Sequence, residues 1–201
     1  MLDHVFLDAV ASLRQALDDA LLERHKHEDR LAVDILLGDV VWETSCSLPG
    51  EGIPPRVRAD ITLDWPTWSQ AAWRAWSVGE PADDSPELGF EVVLRVQRLA
   101  DRPDVDCVVG VLPQESPEIG SERLERSGPL IEESYNTDLS QRQLAVEVAY
   151  EGTYRLTEAV LTEPKELAGH LATLGGWIAS SLVRLGDLRF EYLPPEPEDE
   201  H

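Results

Sequence analysis

The sequence predicts an α+β fold: one antiparallel sheet of about seven or eight strands built from hairpins, covered by two or three helices. Three observations carry this reading. Runs of alternating apolar and polar residues recur along the chain, as half-buried strands require. Segments near both ends instead repeat apolar residues every three or four positions, the stripe of an amphipathic helix. Between them Trp65, Trp68, Trp73 and Trp76, four of the six tryptophans, fall on roughly 140° of a predicted helix over 65–78.

The first helix is read from Leu2, Phe6, Ala9, Leu13, Leu17 and Leu21, and it ends in the mixed charge run 23–30. Leu31, Val33, Ile35 and Leu37 then alternate, as do Val40, Trp42, Thr44 and Cys46. Gly38-Asp39 between them predicts a two-residue hairpin turn, with one strand bulged at Gly38 as the competing reading. After the loop 48–55, Val57, Ala59, Ile61 and Leu63 form a half-exposed strand. Asp64 is expected to cap the Trp-rich helix and Pro66 to sit in its first turn. Val78-Gly79 closes it, and 80–87 reads as an exposed linker.

Phe90, Val92, Leu94 and Val96 predict a strand, and Asp101 to Asp104 a turn into a second strand through Val105, Cys107, Val109 and Val111. Residues 113–127 read as loop with a short helix near Glu122 to Arg126, followed by a strand near Leu130 to Tyr135 and a turn at 136–138. Leu144, Val146, Val148 and Tyr150 predict a strand that turns at Glu151-Gly152 and returns through 154–161. The C-terminal helix, 164–185, buries Leu167, Leu171, Leu174, Ile178, Leu182 and Leu185, with Gly186 as a left-handed cap. Leu188, Phe190 and Tyr192 predict a last strand. The tail 194–201 holds only proline, acidic residues and a final histidine, a composition that stays disordered.

A single domain over 1–193 suits the length; two related halves, 1–79 and 88–193, are the alternative. An echo between Ile61 to Pro66 and Ala159 to Pro164, each running from a strand into a helix through a polar-x-Pro step, supports the second.

Thirty-nine acidic against 17 basic side chains give a net charge of −22. That excess excludes proteins that grip nucleic acid or an anionic membrane, because both depend on Lys and Arg neutralising phosphate. It reflects either a composition bias, with Lys only at Lys26 and Lys165, or a surface that steers a basic partner protein. Leu167 to Val183 lacks Asp, Glu, Lys and Arg but is too short and polar to span a bilayer. The N-terminus has no signal-peptide pattern, so a cytoplasmic location is expected. Cys46 and Cys107 form no C-x-x-C and are expected to be buried thiols.

Two groups are candidate binding residues. The stripe Trp65, Trp68, Trp73 and Trp76 either packs on the sheet or lines a groove for a ligand or partner. Ala168, Ala172, Gly176 and Ser180, four apart on the C-terminal helix, let another backbone approach, that of the sheet or of a second copy in a homodimer. His25 and His27 flank Lys26, and Arg102-Pro103 interrupts Asp101, Asp104 and Asp106, so no metal site is expected, nor any cofactor. Arg56, Arg58 and Arg95 on strand faces read as internal ion-pair partners or an anion site. The familiar hydrolase, zinc-protease, NTPase and dinucleotide motifs do not occur. The leading expectation is a non-enzymatic adaptor with an acidic rim, in the manner of a secretion chaperone or toxin-neutralising protein. The alternatives are a small-ligand carrier with a pocket between sheet and C-terminal helix, and a hydrolase-type enzyme using scattered carboxylates and His170.

Overall fold

The computed structural model describes residues 4–21, 30–33, 38–82, 84–135, 142–157 and 164–195. In chain order these form α1 (His4–Leu21), β1 (Arg30–Val33), β2 (Val40–Ser47), β3 (Val57–Trp65), α2 (Thr67–Ser77), β4 (Glu87–Leu99), α3 (Val105–Val111), β5 (Glu125–Arg126), β6 (Leu130–Tyr135), β7 (Arg142–Arg155) and α4 (Pro164–Gly186). The fold is α+β, with seven strands in one open antiparallel sheet. The strand order is β1-β2-β3-β4-β7, and β7 pairs with both β5 and β6 on its far side. β4 pairs with β3 and β7, so this one sheet joins strands from both sides of the segment 80–86.

Alternation decides which face each side chain takes. Leu63, Phe90 and Trp42 share one row, and Ala59, Leu94 and Val148 another, all of them buried. The same face is covered by α4, whose Leu171, Leu174, Ile178, Leu182 and Leu185 are fully buried. α1 packs along α4 and sends Phe6 to stack on Trp65 at 5.6 Å. A Cβ at Gly175 would lie 2.6 Å from the Ala16 Cβ, so the helix crossing needs a glycine there. α2 sits at the end of the sheet, where Ser69 Oγ accepts from Glu87 N at 2.7 Å and donates to Glu87 O at 2.6 Å.

Several local expectations are corrected. Asp64 belongs to β3, opposite Gly89, and does not cap α2. Asp39 does, accepting from Thr67 N at 2.6 Å and from Thr67 Oγ1 at 3.0 Å across 28 positions of sequence. The far end of α2 closes as foreseen at Gly79, whose φ is 77°, with Gly79 N donating to Trp76 O and Glu80 N to Ala75 O. Val33 opposite Val40 removes the two-residue turn at Gly38-Asp39, which would place Leu37 there.

The segment 105–111 is a helix, not a strand. Asp104 accepts from Asp106 N at 3.1 Å as its N-cap, and only Val108 of the helix is fully buried. Local capping outweighed a run of β-branched residues. Residues 125–126 are strand rather than helix, pairing with Glu151 and Tyr150. β7 runs straight through Glu151-Gly152, because Gly152 is needed for close approach and not for a turn. A Cβ there would meet Arg123 O and Leu124 Cδ2 at 2.9 Å.

Gly186 takes no left-handed conformation; it ends α4 where a Cβ would lie 2.6 Å from Leu48. The expected last strand reduces to a single bridge between Tyr192 and Leu99. Cys46 is buried as expected, whereas Cys107 is exposed on the short α3. The charge run 23–29, the turn at 136–138 and the return strand beyond 157 lie outside the described residues, as does the tail from 196.

Candidate functional site

The face of the sheet opposite α1 and α4 carries no helix among the described residues, and the polar halves of the same alternating strands form its floor. Its rows follow from the register. Arg58, Arg95 and Glu147 lie side by side on β3, β4 and β7. Two residues along β4, Asp60 and Ala149 flank Val93; two further, Thr62, Glu91, Glu151 and Glu125 run from β3 to β5. Beyond them Asp64, Gly89 and Thr153 close the end.

Part of this face is neutralised internally. Arg58 pairs with Asp60 at 2.6 Å, Arg30 with Glu43 at 3.8 Å, and Arg95 with both Glu147 and Glu132. Burial, with Glu132 and Asp60 nearby, holds the Glu147 carboxyl above its ordinary range against the pull of Arg95. Arg56, Arg58 and Arg95 are thus each engaged by a carboxylate, Arg56 by Glu51 at 2.8 Å.

Further acidic residues of this face, at its β5 end, have no such partner among the described residues. A concavity of about 780 Å³ is lined by Asp64, Glu91, Glu125 and Glu151, together with Thr62 and Thr153. None of the four carboxylates makes an ion pair among the described residues. Arg126 borders the concavity, but its guanidinium donates to Val109 O at 3.0 Å and Leu112 O at 2.7 Å. Glu91, Glu151 and Glu125 are direct cross-strand neighbours, an arrangement of like charges that costs stability. Burial, and then the charge of Asp39, raises the Asp64 carboxyl above its usual value. A second hollow of about 400 Å³ continues the face through Glu43, Ser45, Arg58 and Asp60. Among the described residues no group of three or more His, Cys, Asp or Glu is arranged to hold a metal.

The tryptophan stripe is divided by the fold. Trp65 ends β3 and is 1% exposed, with its indole Nε1 donating to Ser69 Oγ at 3.2 Å. Trp73 is 8% exposed and part of the core, Trp76 is half-buried, and Trp68 is 47% exposed. Gln70, a polar residue of α2, is buried and donates to Gly38 O and Trp65 O. On α4 the small residues Ala172, Gly176 and Ser180 face solvent and Ala168 is half-buried. The glycine that permits close approach is the neighbouring Gly175.

The contact between sheet and α4 is packed with the leucines and Ile178 named above, and the three concavities described among these residues lie elsewhere. A third, of about 530 Å³, lies under the loop 50–55. Arg98 anchors that loop from a φ of 59°, donating to Glu51 O at 3.0 Å and Pro54 O at 2.9 Å. His170 stands against Tyr154, its Nδ1 2.9 Å from the phenol oxygen. Burial, with Glu166 close by, pushes that phenol up to about 12.

Comparison with known proteins gives no match. No family model, no curated protein and no solved structure resembles the chain. Among the described residues no helix is long and apolar enough to cross a membrane.

The carboxylates of the open face escaped the sequence reading for a topological reason. Glu91 reads as the polar phase of one alternating run, whereas Glu151, 60 positions on, reads as part of a turn. Only the β4–β7 pairing sets them side by side.

Proposed function

We propose that the protein is a non-enzymatic binding protein that receives a basic segment of a partner protein on the open face of its sheet. The observation that supports this most is the row Glu91, Glu151 and Glu125, three like charges directly opposed in a 780 Å³ concavity, with no ion-pair partner among the described residues and with the bordering Arg126 bound instead to Val109 O and Leu112 O. A site of this kind is least favourable when empty and gains when arginine or lysine enters, so charge complementarity supplies both steering and specificity. The chain's overall charge of −22 extends the attraction beyond the contact itself.

Titration calorimetry with an arginine-rich peptide tests the reading. Binding is expected at low ionic strength and weakens as salt approaches about 0.15 M, where the screening length falls to roughly 8 Å. The pair Glu91→Gln and Glu151→Gln weakens it about tenfold or more, as the loss of two close charge contacts requires. Neutralising Asp8 and Asp187, exposed on the helical side, leaves it nearly unchanged. Affinity insensitive to salt, or equal loss from both pairs, overturns the proposal.

A further inference from the structure

We infer that β6 pairs with β6 of a second copy of this chain, antiparallel about a two-fold axis at Glu133, so that two sheets become one. The inference is independent of the basic partner proposed above and starts from the backbone directions along the edge. Ser127 N donates to Ala149 O at 2.9 Å, and toward β4 Leu156 N donates to Pro86 O at 2.8 Å. Such directions alternate by residue in an antiparallel ladder, so odd-numbered residues of β7 turn toward β5 and β6 and even-numbered ones toward β4. The register sets Glu147, Ala145 and Gln143 opposite Leu130, Glu132 and Ser134, whose backbone groups therefore face inward. The N–H and C=O groups of Ile131, Glu133 and Tyr135 point outward, and no hydrogen bond of the described residues engages them.

The neighbouring β5 is not open in this way. Its outward Arg126 N donates to Gln114 O at 2.9 Å, and Ser116 N donates to Leu124 O at 2.9 Å, so the 114–116 segment covers that part of the edge. The free stretch is β6, and Leu130 to Tyr135 holds no Lys or Pro, the residues with which edge strands commonly keep apart.

The edge selects a copy of itself by charge balance and by register. Its carboxylates are already neutralised within the chain, Glu132 by Arg95 at 3.5 Å and Glu133 by Arg142 at 2.8 Å. It therefore offers a charged partner nothing to neutralise, and two such edges meet without bare like charges. Antiparallel pairing centred on Glu133 uses all three outward residues of both copies and exchanges about six backbone hydrogen bonds. That register sets Ile131 against the other copy's Tyr135 at each end. Ile131 packs on the core beside Val146 and Tyr135 is 54% exposed, so the pairing continues an apolar row across the seam and covers the ring. Directly opposed residues point to one side of a sheet, so both helical layers fall on one side and both open faces on the other. Six residues from each copy make a small interface against the roughly 20–30 a side of a stable one, and two chains of charge −22 repel at a distance. The dimer is therefore weak and strengthens as salt rises, the reverse of the peptide binding proposed above.

Sedimentation of the full chain from about 1 µM to about 1 mM, at low salt and at about 0.5 M salt, tests the pairing. A monomer–dimer equilibrium that salt shifts toward dimer is expected. Tyr135→Glu brings a carboxylate against Ile131 at both ends of the seam and should weaken the dimer about tenfold or more. Tyr135→Phe should keep it, and Ala172→Glu, on the exposed face of α4, should leave it unchanged. Amide exchange of the unmodified chain needs no variant: Ile131, Glu133 and Tyr135 are expected to slow about tenfold as concentration rises through the dimer range, while β1 at the opposite edge keeps its rates. A chain that stays monomeric at about 1 mM in high salt overturns the inference, as does a dimer indifferent to Tyr135→Glu or one that leaves these three amides unprotected. Peptide binding on the open face stands or falls separately, because neither Tyr135 nor Ala172 belongs to the carboxylate row.

Discussion

The two faces of the sheet are made by the same strands and differ in everything else. On β4 the residues Phe90, Val92 and Leu94 are buried under α4, while their neighbours Glu91, Val93 and Arg95 stay half-exposed on the other side. One face minimises its free energy by excluding water from closely fitted apolar groups. The other holds directly opposed glutamates that destabilise the isolated chain. Alternate residues of one strand thus carry packing on one face and directly opposed like charges on the other, and on the proposed function the second face is the one that recognises a partner.

Substitution on consecutive residues breaks this comparison most sharply. Leu94→Ala is expected to cost about 2–5 kcal/mol in chemical denaturation, because it opens a cavity in the packed face. Val93→Ala, one residue away on the open face, should cost well under about 1 kcal/mol. Similar losses from the two would dissolve the distinction between the faces.

Alkaline pH probes the packed face as a whole. Burial pushes the Cys46 thiol from 9.0 up to about 12 and the Tyr154 phenol from 10.0 up to about 12. Both keep their protons in the folded chain where the unfolded chain has lost them. Stability from these groups is therefore complete below about pH 9 and falls as pH rises toward 12. A Cys46→Ala, Tyr154→Phe variant should show a flatter decline in pH-dependent denaturation.

Two adjacent glycines sharpen the account of the helical layer. Gly176→Ala meets open space and should stabilise α4 by about 0.5–1 kcal/mol through helix propensity alone. Gly175→Ala gains the same propensity but drives its Cβ into Ala16 of α1, so thermal denaturation should show a net loss. The smallest effect belongs to the open face. Glu91→Gln should raise stability by about 0.2–1 kcal/mol at low salt, with the gain fading as salt screens the row.

How much of this was legible in the sequence depended on whether the signal was local. The leucine stripe of α4 and the alternation of β2, β3 and β4 are local, and the elements formed where those periods predicted. Val105 to Val111 and Glu151-Gly152 misled because a cap at Asp104 and a close approach at Gly152 outweighed the residue pattern. The cap of α2 came from Asp39 rather than Asp64, a partner that only the folded chain brings near. Of the carboxylate row only Glu91 read as the exposed phase of a strand, while Glu151 read as a turn and Glu125 as part of a short helix. Tryptophans drew attention by their spacing, yet Trp65 and Trp73 serve the core, while the carboxylate row depends on a strand order that no run of residues spells out.

The central claim is that the open face is the binding face. Its most direct test is amide chemical-shift mapping of the isotopically labelled protein during titration with an arginine-rich peptide. Perturbations confined to Thr62, Glu91, Glu125, Glu151 and their neighbours on β3, β4, β5 and β7 are the predicted result. Shifts that instead follow α1, α4 or the exposed Trp68, or that spread evenly over the acidic surface, would contradict it.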